Sequence, residues 1–236
     1  MTTSSRLNDL MREGEEALEA GEFAKALGRF DAVLSEDPDH WGAALDRAEA
    51  LHLLWRTKEA LRHVLELRPS EGEEDDADRA DLEARIREAA GEFEEADRLF
   101  AEASRLDPEQ FPPPCRTTAE DFRSILEVAL ASLPDPIRAV VDQVPVVVEA
   151  KPRRAMAEHS PDIDPELLGL FVGTTVGDKE SGGVEYGDVV FLFQRNLERA
   201  GANRADVMEE IRVTLLHEYG HYLGFEEEDM ERLGLE

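Results

Sequence analysis

The chain predicts a helical-repeat domain followed by a small α+β domain, and three observations carry this reading. A Gly-Glu-Phe pattern recurs at an offset of seventy residues in the first half. Short Val- and Phe-rich runs bounded by Pro, Gly and Asp appear only in the second half. Near the end stands His217-Glu218-Tyr219-Gly220-His221, an H-E-x-x-H string. The 236 residues are enough for two domains of ordinary size.

In the first half, Gly21-Glu22-Phe23-x-x-Ala26-x-x-x-Phe30, closing at Asp37-Pro38, returns as Gly91-Glu92-Phe93-x-x-Ala96-x-x-x-Phe100, closing at Asp107-Pro108. Small Ala residues let helices approach, aromatics fill the space between them, and Pro ends the second helix of each pair. The interval holds two periods of about 34 residues. A shortened middle unit therefore runs from Trp41 to Pro69, with Ala48, Leu51, Leu54, Leu61, Val64 and Leu65 as its amphipathic pattern. These units resemble tetratricopeptide repeats. The resemblance implies an α-solenoid over residues 1–108, whose groove can hold a peptide or a partner protein. Ser70-Glu71-Gly72-Glu73-Glu74-Asp75-Asp76 reads as a solvated loop between repeats two and three.

Residues 109–116, with Pro112-Pro113-Pro114, read as a stiff linker. The second domain, 117–236, opens with a helix ending at Leu133-Pro134. Strands are expected at 144–149, 167–173 and 187–193, and a short helix precedes the one that carries the motif.

On that last helix, residues four apart share a face, so His217 and His221 can reach one metal ion while Glu218 addresses a water beside it. Imidazole suits zinc, and the carboxylate is the general base for hydrolysis. Val213, Leu216, Gly220 and Leu223 are expected to form a buried stripe beside the histidines, and Gly224 to stop the helix. Extended motifs of this kind carry a further ligand after the glycine turn. Glu227 falls in that stretch, with Glu226, Glu228 and Asp229 as rivals, and the fifteen residues after His221 leave little room for a ligand on a separate helix. For stabilising an oxyanion, Tyr186 and His159 are the candidates.

Residues from about 117 to 236 resemble the small bacterial family of zinc metallopeptidases with a minimal zincin fold. The likeness rests on the order of elements, on H-E-x-x-H-x-x-G-x-x-E and on the short tail. It implies a zincin-type Zn2+ site at His217 and His221, a catalytic Glu218, Glu227 as third ligand, peptidase activity, and a strand at 167–173 that pairs with an extended peptide.

Composition narrows the partners. The formal charge of −29 is spread over both halves, which excludes nucleic acid and anionic membrane as expected partners and suits cationic peptides. The single cysteine, Cys115, permits no internal disulfide. Met1 to Arg6 leads into a polar helix with no apolar leader, so the expected setting is cytoplasmic. Two functions of different class follow: a zinc peptidase whose repeats bind protein, and a non-catalytic interaction scaffold with a structural or silent zincin domain.

Overall fold

Ala, Glu, Arg and Leu give the first half strong helix formers, and its described residues fold into six helices. They are α1 Thr3–Glu19, α2 Phe23–Glu36, α3 Trp41–Leu53, α4 Thr57–Glu66, α5 Glu73–Ala89 and α6 Phe93–Leu106. The computed structural model describes residues 3–67, 73–158, 163–176 and 187–225. The chain divides into two compact units: Met1–Pro113 with Arg153–Pro165, and Pro114–Pro152 with Glu166–Glu236. Chain order alone does not announce that Arg153–Pro165 joins the first unit.

Each helix pair of the first unit turns in the same way. Glu22 N donates to Ala17 O, Arg56 N to Leu51 O and Glu92 N to Arg87 O, each at 2.8–2.9 Å, and the residue before each donor has positive φ. This is the Schellman ending, which closes a helix through one left-handed residue. Gly21 and Gly91 fill that position at φ 71° and 83°.

The core comprises Ala26, Leu27, Phe30, Leu51, Val64, Leu82 and Ile86. Phe30 fits because Gly14 has no side chain: a β-carbon there would lie 2.5 Å from the ring. In the middle repeat Ala48, Leu51 and Val64 are buried, but Leu65 is 53% exposed and lies off the core face. The acidic run expected as a loop is helical from Glu73 onward, consistent with the favourable interaction of acidic residues with a helix N-terminus.

The second unit has four helices and three strands among its described residues. These are α7 Ala119–Ser132, α8 Asp135–Val141, β1 Val146–Glu149, β2 Gly169–Val172, β3 Val189–Phe193, α10 Gln194–Ala200 and α11 Arg204–Leu223. A one-turn helix, α9 Arg154–Ala157, lies in the excursion assigned to the first unit. Thr118 caps α7 by accepting from Asp121 N, and Asn203 caps α11 by accepting from Ala205 N and Asp206 N.

The sheet order is β1-β3-β2, with β1 parallel and β2 antiparallel to β3. Val190 and Leu192 of β3 pack with Phe122, Ile125, Ile211, Leu215 and Tyr219 in one core. The Tyr219 hydroxyl crosses that core to donate to Val144 O at 2.9 Å. The buried stripe of α11 is therefore Val207, Ile211, Leu215, Tyr219 and Tyr222, with the expected Leu216 and Gly220 also buried, whereas Val213 and Leu223 are half-buried. The sheet and α7 approach from a different side than the apolar spacing near the motif suggests. Among the described residues no helix is long and apolar enough to cross a membrane.

Asp46 of α3 is packed near Glu49, Glu15 of α1 and Asp78 of α5. Burial, and then the charges of Glu49, Glu15 and Asp78, push its carboxyl up to about 7. The folded state thus holds the proton more tightly than the unfolded chain. The associated stability is fully present below the ordinary value of 3.8 and is lost as pH rises through about 7. Asp46→Asn should accordingly raise the melting temperature at pH 8 by about 4–8 °C, on the order of 1 kcal/mol, with no gain at pH 4. Thermal melts at the two pH values check this.

Candidate metal centre and active site

Helix α11 carries the site, and its spacing sets the first part of the geometry. His217 and His221 stand one turn apart with their Nε2 atoms 3.0 Å from each other. Their rings are nearly perpendicular, at 89°, with centroids 4.6 Å apart. Neutral imidazole nitrogen is the form that binds metal. The convergence fits zinc, whose bonds to imidazole nitrogen are about 2.0–2.1 Å.

Among the described residues no group of three His, Cys, Asp or Glu comes together to hold a metal. Glu226, Glu227, Glu228 and Asp229, and the oxyanion candidates Tyr186 and His159, lie outside the described residues. Gly224 ends the helix at φ 87°; Gly224 N donates to His221 O at 2.9 Å and Phe225 N to Gly220 O at 3.0 Å. The helix therefore ends soon after the histidines, as expected of the glycine.

Glu218 turns toward the sheet. Its side chain is buried, and Oε2 accepts a 2.6 Å hydrogen bond from Phe171 N of β2. That N–H is available for a reason of register. Phe193 N donates to Leu168 O at 2.9 Å, and Gly169 pairs with Leu192 and Leu170 with Phe191. Hydrogen-bonded pairs alternate in an antiparallel ladder, so they fall at 168, 170 and 172, and the polar groups of Gly169 and Phe171 point away from β3. Because β2 is at the edge of the described sheet, these groups face outward, and Glu218 takes one of them.

Two side-chain facts bring β2 this close to α11. A β-carbon on Gly169 would sit 2.4 Å from Thr214 Cγ2 and 3.1 Å from Glu218 Cγ and Oε1. Phe171, on the same face, meets Tyr222 edge to face at 5.7 Å. Sequence reasoning named His217, Glu218, His221 and the strand as candidates, but missed Gly169 and Phe171 N as the groups that seat the carboxylate. The available signal was a glycine inside a strand pattern, which marks close backbone approach.

Comparison with known families agrees with the two-part architecture. Residues 141–235 match the family described as zincin-like metallopeptidase, and residues 17–86 match the tetratricopeptide repeat. No curated protein matches the chain significantly. The chain thus joins a tetratricopeptide region to a domain that resembles the zincin-like metallopeptidases.

Gly169→Ala should destabilise the second unit by about 1–3 kcal/mol through overpacking against Thr214. Thr214→Ser removes the clashing methyl, so the double variant should recover more than half of the loss. Denaturant melts of the four proteins in a mutant cycle measure both numbers.

Proposed function

We propose that the second unit is a zinc-dependent peptidase and that the repeats bind a protein or peptide. The observation that carries this reading is the meeting of three features at one place: two facing imidazole nitrogens, a buried carboxylate, and an edge strand with outward polar groups. His217 and His221 would hold the zinc, with Glu227 as the third ligand. Bound there, the ion would supply Lewis acidity toward water and the peptide carbonyl.

The chain's own residues do the rest. Phe171 N orients the Glu218 carboxylate, which accepts the proton that water gives up on attacking the peptide. Glu218 then returns that proton to the leaving amine. An extended substrate pairs along β2, where the Gly169 groups and Phe171 O point outward. The overall acidity, −29, favours cationic peptides, and a reducing cytoplasm accords with the single cysteine.

Protein purified without added metal should contain close to one zinc per chain, and the His217→Ala, His221→Ala double variant should contain almost none. Near-stoichiometric zinc in the double variant, measured by atomic emission, would sink the assignment.

Glu218→Gln keeps the shape but cannot take a proton, so hydrolysis of unstructured peptides should fall by about 10²–10⁴-fold with zinc content unchanged. Cleavage at the wild-type rate would exclude Glu218 as the base. A chain that holds zinc and cleaves none of a broad peptide set would favour the scaffold reading instead.

A further inference from the structure

The three repeat turns have the same backbone but not the same residue. Gly21 and Gly91 occupy the left-handed position in the first and third, whereas the second has Trp55 at φ 59°. The hydrogen bonds match as well: Trp55 N donates to His52 O at 2.9 Å, as Gly21 N does to Leu18 O and Gly91 N to Glu88 O at 3.0 Å. A bulky side chain is costly in this conformation and glycine is not. Such an outlier persists only where surrounding contacts over-determine it.

The contact is specific. Trp55 Nε1 donates to Ile163 O at 2.8 Å, and Ile163 is 6% exposed. Pro165 is buried too. Ile163 lies 108 residues further along the chain, in Arg153–Pro165, the excursion that belongs with the repeats in the first unit.

The excursion is closed at its base. Lys151 Nζ lies 3.8 Å from Glu166 Oε1 and bonds Asn196 Oδ1, and Asn196 Nδ2 donates to Leu167 O at 2.7 Å. A loop whose ends are pinned together costs less to order at a distant anchor than a free segment does.

We infer that the α3–α4 corner is a recognition site for a short stretch of main chain, and that its occupant is this chain's own Ile163–Pro165, at the end of the excursion, fastened by Trp55. The indole supplies both parts of the recognition: an apolar ring and one donor aimed at a main-chain carbonyl. Main-chain recognition leaves the sequence of the occupant loosely specified, and the covalent tether makes up for this by raising the local concentration. The corner is thus committed within the molecule, and an external partner of the repeats has to use another surface or displace the segment.

Hydrogen exchange on the full chain tests the inference without any substrate. In Trp55→Gly, the peptide spanning 153–165 should exchange at least about fivefold faster than in the wild type. The amides of α1 to α6 should keep their protection, since glycine is the residue the other two turns use. Trp55→Phe, which keeps a ring but loses the donor, should give a smaller increase. Unchanged exchange of 153–165 in both variants overturns the proposal. So does a loss of protection across α1 to α6 equal to that of the segment, because Trp55 would then be a core residue of the repeats rather than a fastener.

Discussion

The second unit is organised around the closeness of β2 to α11. One backbone N–H, that of Phe171, reaches the carboxylate of Glu218 because Gly169 has no side chain to hold strand and helix apart. A buried carboxylate needs such a donor, since burial without a partner costs several kcal/mol. The strand in turn has that N–H to give because it lies at the sheet edge and in the register that turns Phe171 outward. Helix, strand and register are thereby fixed together. The neighbouring face of α11 is held by Tyr219, whose hydroxyl donates to Val144 O just ahead of β1. Burial pushes the Tyr219 phenol up to about 12, so this tie stays neutral and intact over the ordinary pH range.

Polar ties also bind the entry to this unit. Glu198 is buried on α10 and accepts from Thr117 N and Oγ1 and from Gln194 Nε2, while its own main-chain carbonyl receives Cys115 N at 2.8 Å. The three side-chain bonds, with the ion pair from Arg116, satisfy the buried carboxylate. The result is a specific path for the chain after three prolines, not a large gain in stability. The same holds for Lys151, whose partners Glu166 and Asn196 close the base of the excursion.

Elements written as local pattern were legible in the sequence. The repeat turns follow from Gly21 and Gly91, the end of α11 from Gly224, and the facing histidines from their spacing of four. Strand cores at Val146–Glu149, Gly169–Val172 and Val189–Phe193 lie inside the expected runs but are shorter, because the flanking residues turn before the ladder does. What depends on distant partners was not legible. The buried stripe of α11 is decided by where α7 and the sheet lie, so spacing near the motif found Leu216 and Gly220 but selected Val213 and Leu223 over Ile211, Leu215 and Tyr219, which carry the core. The seat of Glu218 depends on a strand 47 residues away. No periodicity encodes that.

The middle repeat shows how one departure from a local rule can be informative. A repeat array stabilises itself through neighbouring units, so each unit can lose some of its consensus while the stack survives. Here α4 has shortened to 10 residues against 14 in α2 and α6, and Leu65 has turned to solvent. These losses weaken the unit. Replacing the turn glycine by Trp55 weakens it further, by a backbone cost the other turns avoid. Three concessions in one unit are hard to reconcile with selection for a stable spacer alone. They are consistent with a unit that gives up local stability in return for a contact it makes elsewhere, and the hydrogen bond from Trp55 Nε1 to Ile163 O is where the structure places that contact.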